Sequence, residues 1–252
     1  MNLSAAIRAW LANERMRRAW LRRWRTWKRD NPAGNRAQFY AFDAVALAAR
    51  GAVGKPRTLG LRIDPAQQEP RALILLEALR AGGLSPHHLL VDYGCGSLWV
   101  GEVLMRYLNR GRYIGLDVVD RFYEERLPLL PAGLLEQKQP ELRVIAPDVL
   151  AAVQARRPDV LLANKVLMHV QPPDLAEFFA SLLATTTSET RILVQHRWQR
   201  RSRRHHGVKW WHSHRRVERA AARVGCEIRW PRAKGDPLKE VHLFELRRLS
   251  AR

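Results

Sequence analysis

The sequence predicts an α/β fold in which a mainly parallel sheet carries helices on both faces. Three observations support this prediction: short apolar segments alternate with amphipathic segments from residue 89 onward, a glycine turn follows the first apolar segment, and an acid ends the second. Alternation of this kind indicates parallel strands joined by crossover helices. Apolar residues make up 46% of the 252 residues, which is enough for a sizeable core.

The glycine turn lies in residues 91–98, VDYGCGSL. Gly94 and Gly96 tolerate positive φ and let a ligand approach the backbone without a Cβ in the way. Apolar residues recur at helical spacing from Val100 to Leu108, so a helix follows the turn and offers free N–H groups at its start. Such a turn after the first strand of an open α/β sheet is a nucleotide-binding arrangement.

The second strand, residues 113–117, ends at Asp117, which lies 21 residues beyond Gly96. An acid at about this offset can hydrogen-bond both hydroxyls of a ribose. Leu98 occupies the position of the third glycine of a dinucleotide motif. Because a pyrophosphate needs the closer approach that this glycine allows, the sequence argues against a dinucleotide.

At these residues the chain resembles the class I S-adenosylmethionine-dependent methyltransferases. VDYGCGSL is similar to their first motif, and Asp117 to their ribose-binding acid. Pro147-Asp148-Val149 resembles the motif that flanks the adenine, and residues 159–170, DVLLANKVLMHV, resemble the fourth strand and its following loop. The resemblance covers residues 84–248, and the GCGS-L form is similar to a subset that modifies small molecules and sugars.

The resemblance implies a Rossmann-like, mainly parallel seven-stranded sheet with helices on both faces and an antiparallel last strand. Residues 84–252 would form this cofactor-binding domain, and residues 1–83 an N-terminal helical extension. The loop at 231–239 is too short for a crossover helix, which also indicates that the last two strands are antiparallel. Strands are predicted at 89–92, 113–117, 142–146, 160–163, 191–195, 227–230 and 241–246.

The implied cofactor is S-adenosylmethionine. Asp92 would position the glycine turn or bind the amino group of the methionine moiety. Asp148 would accept from the adenine amino group or cap the following helix, since Asp is a favoured N-cap. The predicted cofactor-binding residues are Asp92, Gly94, Cys95, Gly96, Asp117, Val118, Asp148, Val149, Asn164 and Lys165.

His169 follows the fourth strand and should therefore face the reacting methyl group. An O-methyltransferase needs a general base, and histidine is the usual base near neutral pH. The alternative is a histidine that satisfies backbone groups or packs below the cofactor. Asn164 is followed by Lys165, Val166 and Leu167, which departs from the Asp/Asn-Pro-Pro-Tyr pattern of enzymes that methylate amino groups of bases.

A strongly basic segment follows the fifth strand. Residues 196–219 contain eight arginines and one lysine against a single glutamate. Its place at the carboxyl edge of the sheet predicts a loop that binds acidic groups of the acceptor. Its histidines match no compact ligand pattern, so no metal is expected. The predicted acceptor-binding residues are Arg197, Arg200, Arg201, Arg203, Arg204, Trp210 and Trp211.

The first predicted helix, residues 3–29, combines tryptophans with arginines. Trp10, Trp20 and Trp24 fall mainly on one side, which suits an anionic membrane surface. Arginines on phosphates with tryptophans stacked on bases would suit RNA. The third interpretation is a helix that packs its tryptophans on its own domain.

Charge and cysteine content narrow the functional class. The net charge of +20 implies an acidic partner: nucleic acid, anionic lipid or a phosphorylated substrate. Cys95 and Cys226 are the only cysteines, and neither an export signal nor a membrane span is indicated, which suits a reducing cytoplasm or the inner face of a membrane. The oligomeric state is not indicated.

The sequence therefore predicts methyl transfer to an anionic small-molecule, sugar-linked or lipid-linked acceptor, with oxygen as the expected methylated atom. RNA methylation is the alternative enzyme function. A catalytically silent nucleic-acid- or membrane-binding module with the same fold is the alternative from another class.

Overall fold

The computed structural model describes residues 3–49, 65–197, 199–205, 209–231 and 235–249. The central sheet has seven strands in the order β3-β2-β1-β4-β5-β9-β8. The strands are β1 (Leu90–Tyr93), β2 (Tyr113–Asp117), β3 (Glu141–Val144), β4 (Val160–Ala163), β5 (Arg191–Gln195), β6 (Arg203–His205), β7 (Lys209–Trp211), β8 (Cys226–Arg229) and β9 (Leu243–Arg248).

The pairing confirms the predicted fold class. Strands β1 to β5 are parallel to one another, and β9 pairs antiparallel with both β5 and β8. The reversed last strand therefore lies inside the sheet, next to the edge strand β8. The predicted strand boundaries differ from the observed ones by at most two residues.

Helices cover both faces of the sheet. They are α1 (Leu3–Asp30), α2 (Arg36–Ala49), α3 (Pro65–Ala81), α4 (Trp99–Tyr107), α5 (Arg121–Glu124), α6 (Leu134–Lys138), α7 (Pro147–Ala155), α8 (Leu175–Ala184), α9 (His214–Ala222) and α10 (Pro237–Glu240). One apolar cluster joins α3 and α4 to the sheet, and a second joins α7, α8 and α9 to the opposite face. Every residue of β1, β2 and β4 is buried, as expected for central strands covered on both sides.

Helix α3 belongs to the same core as the sheet, although it precedes residue 84. Leu75, Leu76 and Leu79 are buried in the cluster that contains Leu90 and Leu104. Helix α3, which belongs to the predicted N-terminal extension, therefore packs directly on the sheet. Within the described ranges, no helix has the length and apolarity needed to cross a membrane.

The tryptophans of α1 pack largely inside the molecule. Trp20 and Trp24 each lie with ring centroids 5.3 Å from Phe39 of α2, and Trp27 lies 5.7 Å from it. Trp10, by contrast, is 64% exposed. The prediction that Trp10, Trp20 and Trp24 act together on an external surface is therefore wrong for Trp20 and Trp24, because α2 covers them.

The basic segment after β5 is not a continuous loop as predicted. Strands β6 and β7 form an antiparallel hairpin within it, with Arg203 opposite Trp211. The guanidinium of Arg203 lies 4.3 Å from the Trp211 ring, and that of Arg197 lies 5.4 Å from it. These cation–π contacts give the hairpin its own internal packing.

Candidate functional site

A cavity of about 680 Å³ opens at the carboxyl edge of β1, β2 and β4. The volume is within the range of small-molecule and cofactor sites. Helices α1 and α2 cover one side of it, and β7 reaches it from the basic hairpin. Of the predicted site residues, the lining contains Asp92, Gly94, Cys95, Gly96, Asp117, Val118, Asn164, Lys165 and His169.

The glycine turn is held by backbone bonds and tight packing. The N–H groups of Gly94 and Cys95 donate to the carbonyl oxygen of Leu116 at 2.7 and 3.0 Å. Gly94 has φ +79°, and a Cβ there would lie 2.4 Å from Cγ2 of Val166. A side chain at this position would push the loop after β4 away from the turn, so this glycine keeps two walls of the cavity in contact.

Two buried carboxyl groups lie beside the turn. Oδ2 of Asp117 accepts from the Gly96 N–H at 2.8 Å, and Oδ1 accepts from the Val119 N–H at 3.2 Å. Asp92 accepts from the Tyr113 hydroxyl at 2.8 Å. Burial raises the pKa of Asp117 to about 6 and that of Asp92 to about 7. Both carboxyl groups are therefore poised to lose a proton when a cationic group binds.

The residues present fit the hydroxyl and amino groups of S-adenosylmethionine. Asn164 Oδ1 is buried and lacks a hydrogen-bond partner within the part of the chain that the structure describes. Asp92 and Asp117 add carboxyl oxygens, each of which can accept further hydrogen bonds beyond those already described. A Cβ on Gly96 would meet no atom within 4 Å, so the turn leaves open space beside them.

The two residues predicted to flank the adenine, Asp148 and Val149, lie outside the cavity lining. Asp148 is exposed and Val149 half-buried, and neither lines the cavity; Ile145, just before them, does. The expected N-cap role of Asp148 is wrong, because α7 begins at Pro147 and Ala146 occupies the N-cap position. Asp148 instead lies in the first turn, where its charge favours the helix dipole.

His169 ends a single 3₁₀ turn (Leu167–His169) and faces the cavity. Its ring centroid lies 5.2 Å from that of Tyr40, which α2 brings across from the covering helices. Burial, with a smaller contribution from the charge of Lys209, lowers the pKa of His169 to about 3. The imidazole is therefore neutral at pH 7 and has a free lone pair.

Polar contacts fasten the start of α2 to α8 below the cavity. Arg36 forms an ion pair with Asp174 at 2.5 Å, and Asn35 Nδ2 donates to Glu177 Oε1 at 3.0 Å. The sequence analysis missed Arg36, together with Tyr40, as a cavity residue. No local signal singles out either residue, because contacts across more than a hundred residues of chain place them there.

The basic hairpin reaches the cavity through a residue that the sequence analysis did not select. Lys209 of β7 lines it. The seven predicted acceptor-binding residues lie outside the lining: Arg197, Arg200, Arg201, Arg203, Arg204, Trp210 and Trp211. All five arginines are exposed. Among the described residues, no group of three histidine, cysteine, aspartate or glutamate side chains is placed to hold a metal ion.

Comparison with known proteins was made by sequence and by structure. No protein-family model and no curated protein matches the chain by sequence. A solved S-adenosylmethionine-dependent methyltransferase from Leishmania major aligns with a TM-score of 0.54 at 13% identity, over 82% of this chain and 81% of its own. The chain has the S-adenosylmethionine-dependent methyltransferase fold.

Two further structures with this methyltransferase fold were solved with S-adenosylhomocysteine bound. The 1,6-didemethyltoxoflavin N1-methyltransferase of Burkholderia thailandensis aligns with a TM-score of 0.54 at 16% identity, over 84% of this chain and 88% of its own. A methyltransferase of calicheamicin biosynthesis also gives 0.54, at 13% identity, over 82% of this chain and 61% of its own. At sequence identities this low, the structural similarity establishes the fold but does not identify the acceptor.

Proposed function

We propose that this protein is an enzyme that uses S-adenosylmethionine to methylate an anionic small molecule, or a sugar- or lipid-linked acceptor, on oxygen. The observation that carries the proposal is the meeting of the glycine turn, Asp117 and His169 in one cavity. That cavity lies at the carboxyl edge of the strands, where open α/β sheets bind their ligands. The fold and the solved neighbours with bound S-adenosylhomocysteine support the proposal.

The residues near β1 and β2 would hold the cofactor. Asp117 would bind the ribose hydroxyls, and Asp92 would bind the amino group of the methionine moiety. Asn164 Oδ1 would accept a hydrogen bond from a further donor of the cofactor. Asp148 and Val149 would lie near the adenine, beyond Ile145. Bound in this way, S-adenosylmethionine supplies the methyl group.

His169 would act on the acceptor. Its neutral imidazole takes the proton of the acceptor hydroxyl, which makes the oxygen a stronger nucleophile. An imidazole with a pKa of about 3 is a weak base. An acidic group on the acceptor offsets the charge of Lys209, which is the smaller of the two causes, and so raises the pKa of His169 in part.

Calorimetry with S-adenosylhomocysteine and transfer of labelled methyl groups test this function. We expect one binding site per chain and label in small molecules that an anion-exchange resin retains. Failure to bind the cofactor product would overturn the enzyme assignment. Label confined to RNA would favour RNA methylation, and cofactor binding without transfer to any extract fraction would favour a silent module.

Cofactor affinity is expected to rise with pH. In the free protein the raised pKa values of Asp92 and Asp117 leave both carboxyl groups largely protonated at about pH 5.5, and an ammonium group binds the ionised form more tightly. Binding therefore releases protons, and the Kd of S-adenosylhomocysteine should fall about 10-fold or more by about pH 7.5.

Calorimetry in two buffers of different ionisation enthalpy would count the released protons. Asp92→Asn should flatten the pH dependence. An unchanged Kd across this range would show that neither carboxyl group takes part.

The exposed surface of α1 favours a second role at an anionic lipid surface. Ile7 is 50% exposed, Leu11 40% and Met16 49%, and Trp10 lies beside them. Six exposed arginines accompany these apolar side chains: Arg8, Arg15, Arg18, Arg22, Arg25 and Arg29. Glu14 of the same helix forms an ion pair with Arg204 at 3.5 Å, which joins this surface to the basic hairpin. Apolar and basic side chains together are typical of helices that lie in a membrane interface.

Replacing Ile7, Trp10 and Leu11 by Ser should weaken binding to vesicles containing phosphatidylglycerol at least ~10-fold, because each side chain loses apolar area buried in lipid. The fold should survive, since these side chains are exposed. Leu129→Ser is the matched control, because Leu129 is 58% exposed outside α1. Unchanged vesicle binding would exclude this surface, and stronger binding to an RNA oligomer than to vesicles would favour RNA.

A further inference from the structure

Three cationic side chains from three separate elements line the cavity that holds His169. Arg71 comes from α3, Lys165 from the loop after β4, and Lys209 from β7. The charges of Arg71 and Lys209 both lower the pKa of Lys165, after the larger effect of burial. The charge of Lys209 also reaches His169. These three side chains, the cation cluster, therefore form one electrostatic unit.

No counter-charge neutralises the cation cluster within the described part of the chain. None of its three members forms an ion pair there with any carboxylate, including Glu240 in the same lining. The other acids of the cavity bond to other groups: Asp174 to Arg36, Glu177 to Asn35, Asp92 to Tyr113, and Asp117 to the N–H groups of Gly96 and Val119. Three like charges held together without an anion raise the energy of the empty site.

The backbone at Lys165 is constrained to bring this side chain into the cavity. Lys165 has φ +59°, a left-handed conformation that residues other than glycine rarely adopt. The next residue, Val166, packs so closely on Gly94 that the loop has little freedom to relax. Left-handed residues held in this way are found most often at functional sites.

Specific contacts likewise fix the position of Lys209. Trp210 Nε1 donates to Gln171 Oε1 at 2.9 Å, and His212 Nε2 lies 3.1 Å from the carbonyl oxygen of Val170. Both partners belong to the chain just beyond His169. The hairpin is therefore docked on the same loop that carries the candidate base.

From this arrangement we infer that Arg71, Lys165 and Lys209 bind an acidic oxyanion group of the methyl acceptor, a phosphate or a carboxylate, next to His169. This inference rests on the proposed function and specifies its acceptor. The guanidinium offers a bidentate fork, and the two ammonium groups add point charges, a combination suited to oxygen anions. Lys165, assigned to the cofactor in the sequence analysis, is thereby assigned to the acceptor.

Partial desolvation of its two lysines favours binding of an anion by the cation cluster, although Arg71 and Lys165 are exposed. Desolvation lowers the pKa of Lys209 as well as that of Lys165, so both ammonium groups have lost part of their hydration. A bound oxyanion replaces the lost hydration and also reduces the repulsion among the three cationic side chains. A cationic or neutral group gains neither benefit.

Phenyl phosphate, benzoate and benzyl alcohol serve as matched probes, because they share a ring and differ in charge. Calorimetry is carried out on the protein saturated with S-adenosylhomocysteine. We expect saturable binding of phenyl phosphate, of benzoate or of both, and none of benzyl alcohol. The probe that binds more tightly identifies the acidic group. Lys165→Gln, Lys209→Gln and Arg71→Gln should each weaken its binding about 10-fold, which is the loss of one charge-assisted bond.

Arg110→Gln is the matched control, because it removes one exposed positive charge at the opposite edge of the sheet, before β2. This variant should leave the affinity for the anionic probe and the affinity for S-adenosylhomocysteine unchanged. If neither anionic probe binds while S-adenosylhomocysteine does, the inference fails and the methyltransferase function stands. If Lys165→Gln weakens S-adenosylhomocysteine itself, the cluster binds the cofactor carboxylate and the inference is overturned. If the wild-type protein does not bind S-adenosylhomocysteine, the proposed function fails first.

Discussion

Asp117→Asn is expected to weaken S-adenosylhomocysteine binding at least about 100-fold. In the proposed function the carboxylate accepts two ribose hydroxyls, and a hydrogen bond to a charged acceptor contributes about 1.5–3 kcal/mol. Asn retains the size of Asp but loses its charge. Its NH₂ group would also face the N–H group of either Gly96 or Val119, both of which now donate to Asp117. Calorimetry measures the affinity, and thermal unfolding reports whether the turn survives.

Asp120→Asn is the control for this experiment. Asp120 is the neighbouring acid that follows the same strand, but it is exposed and its side chain accepts from the Arg121 N–H at the start of α5. Its replacement should leave the affinity within about two-fold. Equal losses in the two variants would show that Asp117 does not bind the ribose, and a loss with Asp120→Asn alone would move that role to Asp120.

His169→Gln is expected to lower kcat about 100-fold or more while leaving the affinity for S-adenosylhomocysteine unchanged. General-base catalysis contributes typically 10²–10⁴-fold, and Gln keeps hydrogen-bonding capacity without a titratable nitrogen. Transfer of labelled methyl groups to the anionic extract fraction measures the rate. His87→Gln is the matched control, since His87 is exposed in the loop before β1, at the opposite edge of the sheet.

The alternative role of His169 gives a different result. If the imidazole only packs against Tyr40, the Gln variant should lose thermal stability and retain its rate per folded molecule. A wild-type rate in His169→Gln would contradict the general-base role.

The strands and the glycine turn could be predicted because their signals are local. A strand buried on both faces is mostly apolar, as β4 is throughout and β1 and β2 are except at Asp92, Gly115 and Asp117. The turn needs positive φ at Gly94 and Gly96, and both residues adopt it. The position of Asp117 follows from the length of one strand–helix–strand unit. Parallel register then brings Asp117 and the turn together, with Asp92 opposite Gly115.

Charge along the sequence was a weaker guide to the cavity. Exposed arginines dominate the basic segment, and the lysine that reaches the cavity is Lys209. Strand alternation within β7 and the bond from Trp210 to Gln171 decide which side chain turns inward. Neither the pairing of β6 with β7 nor that bond leaves a local trace in the residue pattern.

The tryptophan helix illustrates the same limit. Spacing placed the apolar side chains of α1 on one side, but the partner that covers Trp20 and Trp24 is Phe39, on a separate helix. Apolar side chains have the same spacing along a helix whether they contact lipid, RNA or another part of their own protein. Only packing distinguishes these surroundings.

The sequence by itself determined the seven strands of the main sheet, the glycine turn and the acid beside it, because backbone conformation and period act over a few residues. Tertiary structure alone decided that α2 covers Trp20 and brings Tyr40 to His169, and that Arg71, Lys165 and Lys209 share one cavity. The physical reason is that burial and electrostatic proximity depend on which distant segments pack together. That packing minimises the free energy of the whole chain, so no single segment of the sequence determines it.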